Sequence, residues 1–309
     1  MSQSKKYNNL MCLPLAALLH GVAHLPFWAL YRISDVIFVL MYYIFRYRRK
    51  VVIKNINECF PEKSEKERKK IIWDFYRHFV DTFVETIKLL HVSDDEMRRR
   101  IVFKDIHVLD KSVANGRSVI MYAAHFCNWE WLSAITLWTK EGTDVIQFGQ
   151  VYHPLENQWF DEFFLNLRGR FNSHSYPMKR VVRDLLAAKS NKKISVTGFI
   201  SDQHPHPNDQ DDVITFLNHY TAFITGAEVL AKKMDMDVLF FDVHKIKRGY
   251  YECTVREITR TPKETEQYEI TNTYARLLEN AILKQPHVWL WTHKRWKRPV
   301  TPKNITEND

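Results

Sequence analysis

Apolar and polar positions alternate with different periods in different parts of the chain. From Tyr7 to Tyr31 the run YNNLMCLPLAALLHGVAHLPFWALY contains no Asp, Glu, Lys or Arg. A bilayer core of about 30 Å is crossed by about 20 such residues in helical form. A second apolar stretch, VIFVLMYYIF, follows Arg32 and Asp35 and leads into RYRRK. This pattern predicts a membrane anchor over residues 1–50, either spanning the bilayer or lying in its interface. Arg46 to Lys50 would then rest on anionic headgroups. The alternative is an amphipathic hairpin buried in the core. No small-residue cleavage site precedes the second stretch, which argues against a cleaved signal peptide.

Residues 51–309 read differently. Ser64 and Glu67 have capping-box spacing, and the segment IIWDFYRHFVDTFVETIKLL behind them repeats apolar residues at Ile71, Phe75, Phe79, Phe83, Ile87 and Leu90. These features predict one long helix with a packed face. Short β-rich runs then alternate with helical ones. SVIMYAA, DVIQFGQVY, KKISVTGFIS, VLFFDVHKI and YYECTVREI read as strands. EWLSAITLW, KRVVRDLLAAK, TGAEVLAKKM and TNTYARLLENAILKQP read as helices. The alternation predicts an α/β domain with a mostly parallel central sheet and helices on both faces.

Charge narrows the class of partner. The 309 residues carry 45 Lys and Arg against 36 Asp and Glu, a net +9, which favours an anionic membrane lipid or an acidic protein. The basic clusters at 98–100, 245–248 and near Trp296 are not interleaved with aromatics as in an RNA-binding surface, so no nucleic acid partner is predicted. Cys12, Cys59, Cys127 and Cys253 lack paired spacing, which fits a reducing compartment rather than a disulfide framework or zinc knuckle. Trp289, Trp291 and Trp296 are read as packing residues.

Candidate chemistry lies where SVIMYAA ends. His125 stands at that junction, and Glu130 follows five residues later. Ligands of open α/β sheets bind beyond the carboxyl ends of strands. On one helix a spacing of five would set the two side chains about 140° apart. With His125 on the turn and Glu130 in the first helical turn, a hydrogen bond between them becomes feasible. It would orient the imidazole and raise its basicity, as a general base requires. The first N–H groups of the helix would serve a developing oxyanion. Cys127 lies between the pair on an apolar run and reads as packing. No nucleophile signature accompanies the pair, so direct attack by the hydroxyl of a bound acceptor is the predicted reaction. The same spacing also suits a purely structural hydrogen bond at a helix start.

HFCNWE resembles the H-x4-E motif of the late acyltransferases of lipid A biosynthesis, within the lysophospholipid acyltransferase superfamily. The resemblance extends in order through NINECFPEKSEKER, VYHPLENQWFDEFFLNLRGRF, SDQ, ITFLNHYTAFITGAEVLAKK and YARLLENAILKQPHVWLWTHKRWK. It implies transfer of a fatty acyl chain from an acyl carrier protein thioester to a lipid hydroxyl at the cytoplasmic face of the inner membrane. The thioester is a co-substrate, and the resemblance implies no metal or other cofactor. It implies His125 as base and Glu130 as its partner. Arg168, with Arg170 beside it, is implied in binding headgroup or cofactor phosphates, and Asp202 in holding the base or the acceptor. Asn128, inside the motif, is a further substrate-binding candidate. His153 departs from the family's usual arginine, and Asn218 and His219 replace a usual glycine run. These departures bear on the acceptor more than on the reaction.

Two rivals remain at the level of sequence. Acyl transfer to another glycerolipid or aminolipid, or hydrolysis of the thioester, would use the same His125 and Glu130. SDQHPHPNDQDD, with Asp202, His204, His206, Asp209, Asp211 and Asp212, would suit a metal-dependent phosphoesterase, although such Pro-rich loops more often form solvated turns.

Overall fold

A computed structural model describes residues 9–142, 144–206 and 212–301, with side chains described from residue 14. Seven strands form the central sheet: β1 (Ile101–Lys104), β2 (Val119–Ala123), β3 (Ile146–Tyr152), β4 (His174–Pro177), β5 (Ile194–Ile200), β8 (Asp237–Lys247) and β9 (Tyr250–Thr259). A separate hairpin supplies β6 (Val213–Phe216) and β7 (His219–Ala222). The sheet order is β1-β9-β8-β2-β5-β3-β4, and only β8 and β9 run antiparallel. The predicted α/β class holds. Every residue of β2 is buried, as expected of a central strand covered on both faces.

The β8–β9 pair is antiparallel because only Arg248 and Gly249 connect the two strands, too few for a parallel crossover. Gly249 has φ +72°, and a side chain there would collide with the Tyr31 ring. In the β6–β7 hairpin, Leu217 (φ +47°) and Asn218 (φ +65°) form the turn, so Asn218 occupies a left-handed position that asparagine tolerates better than most residues.

The helices are α1 (Asn9–His24), α2 (Phe27–Val39), α3 (Arg49–Cys59), α4 (Glu65–Lys88), α5 (Asp94–Arg100), α6 (His107–Ala114), α7 (Gln158–Arg168), α8 (Val181–Ser190), α9 (Gly226–Met234) and α10 (Glu269–Lys284). The Ser64–Glu67 capping box forms as predicted. Ile72, Tyr76, Val80 and Val84 are buried beside Ile71, Phe75 and Phe79, while Phe83 is 52% exposed.

The N-terminal segment has two different faces. Phe27–Ile44 is one helical stretch long and apolar enough to cross a membrane, a candidate anchor. Phe27, Leu30 and Phe38 nonetheless join the core, and Ser34 donates to Asp81 of α4 at 2.6 Å. Arg248 pairs with Asp35 at 2.8 Å, so the middle of α2 is tied to the β8–β9 turn. The opposite face exposes Trp28, Val36, Val39, Tyr43, Ile44 and Phe45. Lys88 donates to the carbonyls of Ala23 and Leu25, satisfying acceptors at the end of α1.

Candidate active site

Parallel pairing aligns Ala123 at the end of β2 with Ile200 at the end of β5. Two residues beyond each lie His125 and Asp202. Their backbones emerge side by side at the carboxyl edge of the sheet, and the side chains meet. The Asp202 carboxylate accepts from the His125 ring Nδ1 at 2.8 Å and from the His125 backbone N–H at 2.9 Å. Trp289 Nε1–H donates to the same carboxylate at 2.8 Å.

Asp202 is 2% exposed. Burial by itself pushes its carboxyl up. The charge of His125 and the three N–H donors outweigh that and hold it below the ordinary range. The carboxylate is therefore ionised at neutral pH, and the network assigns the His125 proton to Nδ1. Nε2 then carries the lone pair of the ring. It accepts a long hydrogen bond from Gln203 Nε2 at 3.4 Å, while Trp129 lies edge-on to the ring with centroids 5.1 Å apart.

The loop carrying the imidazole is fixed from the C-terminal side. Leu290 N–H donates to the His125 carbonyl at 3.0 Å, and Cys127 N–H donates to the Val288 carbonyl at 2.9 Å. Cys127 takes φ +54°, a left-handed conformation that costs energy for a non-glycine residue. Its thiol is fully buried, and burial pushes it well up, away from thiolate formation. Cys127 is thus a packing residue.

Glu130 does not partner His125. It lies on a 3-10 helix, Trp129–Leu137, where the sequence pattern predicts an ordinary helix. Ser133 Oγ bonds the Glu130 carbonyl at 3.0 Å and Thr136 Oγ1 the Ser133 carbonyl at 3.4 Å, local contacts compatible with the tighter winding. The Glu130 carboxylate is held side-on by Arg168 of α7, through Nε at 2.9 Å and one Nη at 2.7 Å. The expected His125–Glu130 hydrogen bond is replaced because Asp202 already occupies Nδ1 and a permanent cation faces Glu130. Arg168 keeps its other Nη uncommitted among the described residues.

Two further candidates are engaged elsewhere. Arg170 donates to the Val92 carbonyl at 3.0 Å and to Asp94 at 2.8 Å, tying the turn after α7 to α5. Asn128 is 1% exposed and donates to Glu85 at 2.8 Å beneath the site, while its Oδ1 has no partner. Tyr251 also donates to Glu85, at 2.8 Å. His153 is exposed and bonds the Pro154 carbonyl. Asp209 and Asp211 fall outside the described residues. Among those described, no group of three or more His, Cys, Asp or Glu is arranged to hold a metal.

Sequence reading overlooked Gln203 and His293, and assigned Trp289 to packing alone. Gln203 lay within the quoted SDQ block without a role, and the signal for the other two was the density of hydrogen-bonding side chains in PHVWLWTHKRW. His293 Nε2 accepts from the His204 backbone N–H at 3.3 Å. Burial, then Arg295, lower the His293 imidazole to about 4, so it is neutral near the site.

Comparison with known proteins identifies the family of the chain. Residues 6–298 match the family model for bacterial lipid A biosynthesis acyltransferase. The chain is 24% identical over 284 residues to the lipid A biosynthesis lauroyltransferase of Escherichia coli K12, covering 89% of this chain and 88% of that protein. It is 24% identical over 268 residues to the palmitoleoyltransferase of the same strain, covering 84% and 82%. A lipid A biosynthesis acyltransferase of Haemophilus influenzae is 21% identical over 294 residues, covering 94% and 88%.

Proposed function

The chain belongs to the bacterial lipid A biosynthesis acyltransferase family, and from that membership and the His125 geometry we propose that it moves a fatty acyl chain from an acyl carrier protein thioester to a hydroxyl of a lipid A precursor. The reaction takes place at the cytoplasmic face of the inner membrane, with the outer face of α2 and the basic run Arg46–Lys50 against the lipid.

His125 Nε2 takes the proton of the acceptor hydroxyl as its oxygen attacks the thioester carbonyl. Asp202 holds the ring and stabilises the imidazolium that forms, without taking its proton. The N–H groups of Trp129 and Glu130 begin the 3-10 helix without backbone acceptors among the described residues and serve the oxyanion of the tetrahedral intermediate. Collapse breaks the carbon–sulfur bond, and the imidazolium returns its proton to the leaving thiolate. An ester and a free carrier thiol result. The activated acyl group arrives with the carrier, so the step calls for no metal or nucleotide. Glu130 holds Arg168, whose uncommitted nitrogen is available to an anionic group of either substrate.

The observation that carries this reading is the two-point contact of Asp202 with His125 beyond adjacent parallel strands. Purified full-length protein, given a panel of carrier-bound acyl chains and lipid acceptors, tests it by mass spectrometry. Ester-linked transfer from a carrier thioester supports it. Release of the acyl group only as free fatty acid, or no turnover of any carrier thioester, contradicts it.

A further inference from the structure

A polar cavity of about 230 Å³ opens between α4 and the carboxyl end of β8. Its wall includes Arg77, His78, Asp81, Lys245, Arg248 and His287, with Asp74 at the same cavity. Asp81 and Asp35 of α2 engage Arg248, and Asp35 also lies 3.8 Å from Arg77, so the uncompensated cation of the wall is Lys245. Asp81 is gripped by Arg248 through Nε and Nη2 and also accepts from Ser34. Asp74 pairs with Lys70.

Lys245 has no carboxylate partner among the described residues. Its ammonium donates to His78 Nδ1 at 3.1 Å, and His78 Nε2–H donates onward to the Cys127 carbonyl at 3.2 Å. An ammonium whose only described side-chain partner is a neutral imidazole keeps donors to spare. His287 makes no hydrogen bond to another described residue. Burial, then the charge of Lys245, lower its imidazole, and burial followed by Lys245 keeps His78 neutral. The Lys245 ammonium is thus the charge the cavity presents to an anion.

Position links this cavity to both the active site and the lipid-facing helix. Cys127 is two residues from His125, and His287 adjoins Val288, which accepts from the Cys127 N–H. On the other side Asp35 of α2 pairs with Arg248 at 2.8 Å and lies 3.8 Å from Arg77. The cavity therefore sits between the loop of the base and the helix whose outer face is apolar.

We propose that this cavity binds a phosphate ester group of the membrane-embedded acceptor, with Lys245 and His287 as its principal donors, and so positions the acceptor hydroxyl toward His125. The inference rests on the acyl-transfer reading for its substrate but assigns a subsite separate from Arg168. Lys245 supplies charge, His287 a directional N–H, and Arg77 a further cation at the rim. None of them touches the reacting atoms.

The test compares the phosphorylated acceptor with the same lipid after phosphatase treatment, using full-length wild type, Lys245→Gln and the exposed control Lys247→Gln. Loss of a charge-assisted contact corresponds to about 10–100-fold in affinity. Lys245→Gln should raise KM for the phosphorylated acceptor by about that factor. Donor KM should stay unchanged, and the preference for phosphorylated over dephosphorylated acceptor should vanish. Lys247→Gln should behave as wild type. Unchanged acceptor KM, an equal rise with both acceptors, or a rise confined to the donor would overturn the proposal. If Lys245→Gln does not fold, His287→Gln replaces it under the same criteria. A titration of the purified chain with inorganic phosphate, followed through the ring resonances of His287, does not depend on turnover. A saturable shift, lost in Lys245→Gln, is expected, and no shift would overturn the site even if acyl transfer is established. Should wild type transfer no acyl chain, the acyl-transfer reading fails and this titration alone decides whether the cavity binds phosphate.

Discussion

Glu130 stands five residues after His125, yet its carboxylate is committed to Arg168, 38 residues further on, at 2.9 and 2.7 Å. The carboxylate of the H-x4-E motif thereby fixes a cation beside the base instead of touching the base. Both side chains are largely buried, and removing either leaves a poorly solvated charge behind.

Glu130→Gln and Arg168→Met should each lower unfolding free energy by about 3 kcal/mol. The double variant should cost clearly less than their sum, because the two share one interaction. Denaturant unfolding of the four proteins checks this. Strict additivity would mean that the pair is not coupled.

Asp202→Asn should keep the fold but reduce kcat by about 10³–10⁴, since an amide can present its own N–H to Nδ1 and favour the wrong tautomer. Acceptor and donor KM should change far less. A variant with near-normal kcat would remove Asp202 from its positioning role.

The Asp202 carboxyl is held below its ordinary range in the fold. A depressed carboxyl contributes stability that is present above its unfolded pKa and lost as pH falls through the folded one. The Asp202 contribution should therefore begin to fall near pH 4, about the unfolded value, and be lost progressively below it. His293 behaves differently. Its folded imidazole sits near 4, against an ordinary value of 6.5, so the unfolded chain binds the proton first. Stability should decline as pH falls from 6.5 toward 4 and the His293 contribution should then level off. Thermal melts across pH separate the two: His293→Gln should flatten the upper window and leave the lower. Identical pH slopes in wild type and His293→Gln would contradict the assignment.

Much of this arrangement was legible in the sequence, for local reasons. Strand β2 is a buried apolar run, and the Ser64–Glu67 cap closes within one turn, so both could be read from neighbouring residues. The partner of His125 lies 77 residues away, and only the Ala123–Ile200 register brings it alongside. Spacing within HFCNWE therefore favoured the wrong carboxylate. The antiparallel β9 depended on a connection of two residues between runs that each read simply as a strand.

The two faces of α2 should separate in experiment. Leu30→Ala, on the buried face, should cost about 2–5 kcal/mol of stability. Val36→Lys, on the 61% exposed position, should leave the melting temperature nearly unchanged while weakening sedimentation with anionic vesicles. Equal vesicle binding by Val36→Lys and wild type would contradict a lipid contact at that face.

The most direct measurement is single-turnover acyl transfer by His125→Ala, with circular dichroism and melting temperature recorded on the same preparation. Loss of a positioned general base should slow ester formation by about 10²–10⁴ while the chain stays folded. Transfer at the wild-type rate by the folded variant would show that this imidazole does not take the acceptor's proton.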